Sequence, residues 1–359
     1  MRILAIETSC DETGIALLEA SGGLKSPKFK VLKNLVSSQI KVHRPFGGVV
    51  PNLAKREHLK NLPLLFENLK LKIENYRNSD LLIAVTVGPG LEPALWTGVN
   101  FAREIRQKLK IQNSKLKIVG VNHLEGHLYS FLLSKNYKLK TKNLFPAIHL
   151  LVSGGHTILV LMKSLTEWKK IGETRDDAVG EAFDKVARML GLPYPGGPEI
   201  EKLSVLGSPT SLEFPRPMIN AKNYDFSFSG LKTAVLYYLR DHFNIGTSNV
   251  PNIKRDLRTS DVQNIAASFQ KAAVDVLVSK TARAAKEFGA RSIMLSGGVA
   301  SNRTLQKRLA LNAKQSAMNF LSADKKFHTD NAAIIAVAGY IQNLRGRKRT
   351  IRANANLNL

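Results

Sequence analysis

The sequence predicts an α/β fold that contains one strand motif twice. Residues 3–18 read as an apolar strand, a polar turn and a second strand, and residues 147–162 repeat that order. Strands alternate with helical patterns along the rest of the chain, which is typical of α/β architecture. Two spaced copies of one hairpin indicate a duplicated fold in which each copy opens its own domain. A length of 359 residues also exceeds one typical core, so two domains are expected.

The remaining elements follow from periodicity and glycine turns. Residues 292–295 predict a strand that ends in Ser296-Gly297-Gly298 and leads into a helix over 302–311, capped by Ser301 or Asn302. A long Ala-rich amphipathic helix is predicted over 261–288. Residues 81–106 and 177–190 predict strand or helix with glycine turns, and the Pro-, Gly- and Ser-rich residues 192–228 predict a long functional connection.

The charge balance favours a polyanionic partner. Fifty-three Lys and Arg residues against 28 Asp and Glu residues leave a net charge of +25, and the pI is about 10.1. Such a surface attracts nucleic acid, of which tRNA is a common soluble form. The alternative is a lysine-rich genome that decorates every protein in this way. Basic residues cluster at 103–117, 135–142 and 345–352, and the last cluster is predicted to be a basic tail with a loose Asn-rich end.

Hydropathy and cysteine content exclude several classes of protein. The mean hydropathy is −0.12, and no stretch approaches the roughly 20 apolar residues that a membrane helix needs. The apolar run at residues 3–6 is too short for a secretory signal, so a cytoplasmic location is expected. Cys10 is the only cysteine, which excludes an intramolecular disulfide. A metal site would therefore use His, Asp or Glu.

One histidine pair predicts a metal site. His123 and His127 are four residues apart, so on a helix both imidazoles lie on one face. The pair differs from the zinc-protease motif, because Glu125 is one position too far from the first histidine and points about 100° away around the helix. Asp330 is a candidate third ligand, although a carboxylate before a helix is also a common cap. Two histidines and one carboxylate with open positions are typical of Fe(II) or catalytic Zn(II).

Glycine turns after strands predict a nucleotide site. Ser153-Gly154-Gly155 and Ser296-Gly297-Gly298 allow a ligand to approach the backbone and offer N–H groups to phosphate. Asp184 and Asn302 could hydrogen-bond a ribose or a base. The alternatives are tight connections, a surface carboxylate and a helix cap. Neither a P-loop nor a dinucleotide fingerprint is present in the sequence.

These residues carry a resemblance to a known family. The segment 6–13 (IETSCDET) resembles the opening signature of the TsaD family, the tRNA N6-adenosine threonylcarbamoyltransferases. Further motifs of that family follow in the same order, from residue 1 to about 340. They are 47–51 (GGVVP), 88–91 (GPGL), 123–127 (HLEGH), 151–157 (LVSGGHT), 180–185 (GEAFDK), 194–198 (YPGGP), 214–217 (FPRP), 225–233 (DFSFSGLKT), 297–299 (GGV) and 329–331 (TDN).

The resemblance implies a fold and a set of site residues. The family has the actin-like ATPase (ASKHA) fold, with two related RNase H-like domains around a central cleft. The expected domains are 1–128 with about 331–359, and 129–330. By resemblance His123, His127 and Asp330 hold one divalent metal ion per subunit, usually iron, with zinc as the alternative. The implied substrate contacts are Leu151, Val152, Ser153, Gly154, Gly155, Asp184, Gly197 and Asn302, with Glu201 as a further candidate.

The resemblance also implies an activity. The N6 amine of adenosine 37 in tRNAs reading codons that begin with A attacks the carbamoyl carbonyl of threonylcarbamoyl-adenylate, and AMP leaves. The general base is not identified by the sequence; Glu12 and Asp11 are candidates because they lie in the opening turn. Bacterial family members work with a smaller inactive paralogue and a small ATPase. A metalloprotease, a sugar or acetate kinase and a non-catalytic scaffold are the competing interpretations.

Overall fold

The computed structural model describes residues 1–74, 81–110, 116–134, 143–243, 258–346 and 349–359. The chain divides into two compact units. Unit 1 comprises Met1–Lys142 and Ala323–Leu359, and unit 2 comprises Asn143–Ser322. These bounds differ from the expected 128/129 and 330/331. The helix that carries His127 continues into a 3-10 turn at Ser130–Leu133, and Asp330 lies within the second segment of unit 1.

Each unit contains one mixed five-stranded sheet. In unit 1 the strand order is β3-β2-β1-β4-β5, with antiparallel pairing among β1, β2 and β3 and parallel pairing of β4 with β1 and β5. In unit 2 the order is β10-β9-β6-β7-β8, with the same pattern of antiparallel and parallel pairs. The strands are β1 Arg2–Glu7, β2 Glu12–Ser21, β3 Lys28–Ser38, β4 Leu81–Gly88, β5 Lys117–Asn122, β6 Ala147–Val152, β7 Thr157–Met162, β8 Trp168–Glu173, β9 Ser292–Ser296 and β10 Asn319–Ser322.

The two sheets have the same order when each is counted from its own first strand. In both units the first strand lies at the centre, the next two strands extend the sheet on one side, and the last two extend it on the other. The predicted hairpins at 3–18 and 147–162 are these paired first and second strands. The α/β prediction is therefore confirmed, and each unit begins with the motif that the sequence repeats.

Helices cover the sheets and supply the buried apolar faces. They are α1 Ile40–His43, α2 Pro51–Glu74, α3 Glu92–Lys110, α4 His123–Tyr129, α5 Val179–Met189, α6 Gly196–Ser204, α7 Ser229–Phe243, α8 Thr259–Glu287, α9 Arg303–Gln315 and α10 Ala332–Leu344. The predicted helices at 261–288 and 302–311 correspond to α8 and α9. The predicted long connection at 192–228 contains α6, which the sequence interpretation missed. No described helix is long and apolar enough to span a membrane.

The C-terminal segment corrects one prediction. The Asn-rich end that follows the basic cluster at 345–352 was expected to be loose, yet it packs along the ends of β4 and β5. The Asn354 amide donates to the Val87 carbonyl at 2.7 Å, and the Gly90 amide donates to the carbonyl of Ala355. The Asn122 side chain donates to the carbonyl of Asn358 at 2.9 Å. Backbone hydrogen bonds that the composition does not reveal therefore fix this segment. The basic cluster at 135–142 lies outside the described residues.

Candidate metal centre and glycine-turn edge

A short buried helix positions both histidines. Strand β5 ends at Asn122, whose side chain accepts from the Leu124 amide at 2.8 Å and so begins α4 at His123. The rings of His123 and His127 lie on one face of α4, with their centroids 4.7 Å apart. Both side chains are buried. The spacing argument therefore gave the correct arrangement of this pair.

Packing of α10 on α4 brings Asp330 to the histidines. Gly126 lies between the two histidines, and a Cβ there would be 2.9 Å from the Cδ1 atom of Ile335, so a larger residue would require that side chain to shift. Asn331 caps α10 through Ala333 and Ile334, so Asp330 is not the cap. The Asp330 Oδ1 atom is 3.0 Å from His127 Nε2 and 3.5 Å from His123 Nε2.

These three side chains, the His–His–Asp cluster, form one group of donors. One ligand atom from each of His123, His127 and Asp330 lies within 4.8 Å of the other two. Two imidazole nitrogens and one carboxylate oxygen suit iron or zinc better than the all-oxygen shell that calcium prefers. Two protein imidazoles and a carboxylate also leave coordination positions for other ligands.

The Glu7 carboxylate contacts the ring nitrogen of His123 that does not face Asp330. The His123 Nδ1 atom is 2.9 Å from Glu7 Oε2, which also accepts from the Thr86 hydroxyl at 2.8 Å. A carboxylate on Nδ1 fixes the ring and leaves Nε2 facing Asp330, the outer-shell arrangement typical of metal-binding histidines. Burial lowers the pKa of His123, but the charges of Asp330 and Glu7 outweigh it and raise the pKa to about 9. The sequence interpretation missed Glu7, although it is the second residue of the opening signature.

Glu125 forms an ion pair with Arg349. Its two carboxylate oxygens accept from the Arg349 guanidinium at 3.2 and 3.3 Å, and its side chain is buried. A buried carboxylate in a bidentate ion pair is not available as the general base of a zinc protease. The rejection of that motif on helical geometry is thus confirmed by the partner that Glu125 has.

The opening turn carries the two candidate bases. Asp11 is buried, and its backbone carbonyl accepts from the amide of Gln39. Burial, with the nearby charges of Asp11 and Asp330, raises the pKa of Glu12 well above its usual value. A carboxyl group shifted in this direction is closer to the range that a general base needs at neutral pH. Burial and the same carboxylates raise the pKa of Cys10, so its thiol stays protonated.

In unit 2 the glycine turns lie together at one edge of the sheet. Strands β6 and β9 are parallel neighbours, so the turns that follow them meet at their carboxyl ends. Gly297 has a φ of +92°, and a Cβ there would lie 2.2 Å from the Val152 carbonyl oxygen. A Cβ on Gly180, at the start of α5, would lie 2.5 Å from the Ser153 oxygen. We refer to the turns 153–156 and 296–298, with the N-termini of α5, α6 and α9, as the glycine-turn edge.

Other glycines at this edge face open space. A Cβ on Gly154, Gly155, Gly197 or Gly298 would meet no atom of the described residues within 4 Å. Gly154 and Gly155 are exposed at the tip of the turn, whereas Leu151 and Val152 are fully buried in β6. Hence the predicted segment 151–155 divides into a buried strand end and an exposed glycine tip, and only the tip offers free backbone.

Three predicted contact residues serve neighbouring helices. The Asp184 carboxylate accepts from the Gly196 amide at the start of α6, at 2.7 Å. The Asn302 side chain caps α9 through the Leu305 amide at 2.9 Å and donates to Gln270 at 2.7 Å. The Glu201 carboxylate accepts from the Arg303 amide at 2.6 Å. The alternative that Asn302 is a helix cap is therefore confirmed, and Gln270 is a supporting residue that the sequence interpretation missed.

Comparisons with known proteins agree with this architecture. A family model described as TsaD, tRNA N6-adenosine threonylcarbamoyltransferase, matches residues 30–337. A relative with that name from Thermosipho africanus is 47% identical over 341 residues, which cover 95% of this chain and 94% of the relative. Another from Thermosipho melanesiensis is 43% identical over 360 residues and covers both chains fully.

Solved structures show the fold alone. HypF from T. kodakarensis matches with a TM-score of 0.53 at 13% identity, over 96% of this chain and 47% of that one. A full-length HypF in its phosphate- and nucleotide-bound form matches with a TM-score of 0.52 at 14% identity, over 98% and 56%. The family model and the sequence relatives define a transferase. Family-model coverage and identities above 40% then show that the chain belongs to the TsaD family of tRNA N6-adenosine threonylcarbamoyltransferases.

Proposed function

We propose that this chain forms threonylcarbamoyladenosine in tRNA. The N6 amine of adenosine 37 attacks the carbamoyl carbonyl of threonylcarbamoyl-adenylate, a C–N bond forms, the C–O bond to phosphate breaks, and AMP leaves. The proton lost from N6 passes to a base. The observation that carries the proposal is the family match over residues 30–337, and the net charge of +25 supports a tRNA substrate.

Finer parts of the proposal follow from family membership. We assign both units to the actin-like fold, which their equal strand order supports. We place the reaction in the cytoplasm, on tRNAs that read codons beginning with A. We also expect a smaller inactive paralogue and a small ATPase of the same pathway to be required. Omission of either protein from a reconstituted transfer reaction should then abolish the transfer of label to tRNA.

The His–His–Asp cluster would hold a single divalent ion, iron in preference to zinc. The fit rests on the donor set and on the Glu7 carboxylate, which directs His123 Nε2 toward Asp330. Bound there, the ion would supply a Lewis acid that stabilises developing negative charge. The protein contributes the orientation: Asn122 fixes the start of α4, and Asn331 fixes the start of α10.

The glycine-turn edge would bind the adenylate donor. The exposed Gly154 and Gly155 allow a phosphate to approach the backbone, and three helix N-termini favour negative charge. Gly197 offers the same open approach at α6. Asp184, Glu201 and Asn302 would act mainly by holding α6 and α9 in position, since their side chains already accept from those helices. For the base we propose Glu12 or Asp11 of the opening turn.

A reconstituted transfer reaction tests this function. The purified protein is incubated with both partner proteins, a donor-forming enzyme, labelled threonine, bicarbonate, ATP and unmodified tRNA. We expect label to enter tRNA. We expect His123→Ala to lose metal and to reduce transfer at least 100-fold, while binding of a non-hydrolysable adenylate analogue stays within about twofold.

The exposed His242 on α7 provides the matched control. His242→Ala should keep both the metal content and the transfer rate of the wild-type protein. Transfer by His123→Ala at the wild-type rate would exclude a catalytic role for the cluster. Absence of any label in tRNA with wild-type protein and both partners would refute the function itself.

A further inference from the structure

Helix α9 of unit 2 is unusual in its charge. Its residues 303–315 (RTLQKRLALNAKQ) include four basic side chains, Arg303, Lys307, Arg308 and Lys314, and no acidic one. Among the described helices of eight or more residues that carry any charge, α9 alone lacks Asp and Glu. The excess of basic residues is therefore not evenly spread over the helices, since the others mix both signs.

The basic residues of α9 divide between two faces. Arg308 turns toward α8 and pairs with Asp275, which also pairs with Arg216 and Lys271. Arg303, Lys307 and Lys314 are exposed, and within the described part of the chain no carboxylate lies within ion-pair distance of them. Leu311 lies on the same face, between Lys307 and Lys314, and is 55% exposed. This exposed face of α9 thus carries three unpaired cations and one apolar side chain.

Local helix electrostatics disfavour this arrangement. Arg303 occupies the first position of α9, where the helix dipole favours negative charge. Arg303 and Lys307 are four residues apart, a spacing at which like charges repel. The Glu201 carboxylate, which accepts from the Arg303 amide at 2.6 Å, offsets part of the conflict at the first turn. Within the described residues no ion pair offsets the repulsion between Arg303 and Lys307, and an external polyanion would reduce it.

The position of α9 connects this face to the glycine-turn edge. The helix begins directly after Asn302, which caps it, and five residues after Gly298, which faces open space. From Arg303 to Lys314 the exposed face extends over 12 residues, or about 16 Å along the helix axis. A phosphate backbone lying along it would begin at the edge proposed to bind the adenylate donor.

We propose that the exposed face of α9, formed by Arg303, Lys307, Leu311 and Lys314, binds the phosphate backbone of tRNA. This inference rests on the proposed function, because it names the surface that holds that substrate. The three cations contact phosphates without reading sequence, and Leu311 packs against ribose. The basic clusters that are contiguous in sequence do not reveal this face, because its members are spaced at helical intervals.

The experiment compares two triple variants with equal loss of charge. The first variant replaces Arg303, Lys307 and Lys314 by Gln. These changes remove the three positive charges of the exposed face of α9, and Gln keeps the helix propensity. The matched variant changes Lys28, Lys30 and Lys33, three exposed lysines of β3 in unit 1, to Gln. Affinity for unmodified tRNA is measured by fluorescence anisotropy on the full-length protein at four salt concentrations. Circular dichroism melting checks that both variants fold.

We expect the α9 variant to bind tRNA at least tenfold more weakly. The slope of log K against log salt is negative, and its magnitude should become smaller by about 3. The β3 variant should stay within threefold of wild type with a slope change below about 1. An equal weakening in both variants would mean that only net charge matters and would overturn the inference, as would an unchanged α9 variant. If the α9 variant misfolds, the single change Lys307→Gln replaces it, with an expected slope change of about 1.

Two further arms separate other outcomes. Vesicles containing phosphatidylserine are tested in parallel, and loss of vesicle binding with tRNA binding retained would assign the face to a membrane and overturn the inference. Wild-type protein that binds tRNA but transfers nothing would refute the proposed function while leaving the surface supported. Transfer by the wild-type protein, together with unchanged tRNA affinity of the α9 variant, would support the proposed function and overturn the inference about α9.

Discussion

The two five-stranded sheets have the same strand order, but their corresponding edges carry different kinds of side chain and turn. In unit 1 the carboxyl ends of β1 and β5 carry buried polar side chains: Glu7 ends β1, and His123 follows β5. In unit 2, strand β6, the equivalent of β1, and strand β9, the equivalent of β4, end in glycine turns whose tips are bare backbone. One strand order thus supports a side-chain site in one unit and a backbone site in the other. The topology fixes where a site forms, and the turn residues fix its chemistry.

Each unit contains a buried basic side chain, and the pKa values of the two are shifted in opposite directions. Burial lowers the pKa of His123 in unit 1, but Asp330 and Glu7 raise it to about 9. Burial lowers the pKa of Lys280 in unit 2 to about 8, and the neighbouring Arg283 acts in the same direction. Lys280 donates to the Asn223 carbonyl rather than to a carboxylate. Carboxylates next to the buried base therefore decide the direction of the shift.

The strongest test of the backbone site uses two glycines on opposite sides of one turn. Gly154→Val should weaken binding of an adenylate analogue about 100-fold, because its side chain would fill the space where the donor approaches. Its melting temperature should change little, since no described atom lies within 4 Å of that Cβ. Calorimetric titration measures the affinity. Metal content, which depends on unit 1, should equal that of the wild-type protein.

Gly180→Ala is the contrasting variant. Its Cβ would lie 2.5 Å from the Ser153 carbonyl oxygen, so α5 or the turn must move. We expect a loss of about 1–3 kcal/mol in the free energy of unfolding. A Gly154 variant that loses as much stability as the Gly180 variant, with unchanged donor affinity, would show that the turn is structural and not a binding site.

The side-chain site is tested through Glu7, which touches no proposed donor atom of the metal. Glu7→Gln should weaken metal binding about 10–100-fold, because a neutral amide orients the His123 ring less firmly and makes it a poorer ligand. Competition with a chelator of known affinity measures the change. Donor binding by the glycine-turn edge should remain within twofold.

Glu19→Gln is the matched control for Glu7. Glu19 lies in the same sheet but forms a surface ion pair with Arg2, so its loss should leave the metal affinity unchanged. Equal metal affinities in the Glu7 and Glu19 variants would remove Glu7 from the site and leave the His–His–Asp cluster without its outer carboxylate.

The repeated hairpin made most of the fold predictable. Apolar runs gave β1, β6, β7 and β9 to within one residue of their observed bounds, because buried strands need continuous apolar residues. Strand β2 was predicted over 14–18 only, whereas it extends over Glu12–Ser21. Helix α6 was missed because Pro195 and two glycines at its start read as a turn. The division of the chain at 142/143 and 322/323 depends on long-range contacts, which sequence patterns do not contain.

The candidate site was predictable only where its parts are local. The four-residue spacing of His123 and His127 is a local feature, so their shared face could be derived from the sequence. Glu7 lies 116 residues from His123, and only the pairing of β1 with β4 and of β4 with β5 brings them together. Both polar groups of the Asn302 side chain bond to protein, and the Gln270 partner lies 32 residues away in the chain. A single sequence gives residue types but not the partners that long-range packing supplies.

The lowered pKa of Lys280 in unit 2 predicts that the stability of the protein depends on pH. Lys280 has a folded pKa of about 8 and an ordinary value of 10.5, so between these limits the unfolded chain binds the proton more tightly. Stability should then rise with pH from 8 to 10.5, by at most about 1.4 kcal/mol per pH unit. Urea unfolding at pH 7.5 to 10 measures it. Lys280→Met should remove this rise, since Arg283 still donates to the Asn223 carbonyl, whereas the exposed Lys286→Met on α8 should retain it. An identical pH dependence in wild type and Lys280→Met would show that burial does not shift this lysine, and the contrast between the buried cations of the two units would then fail.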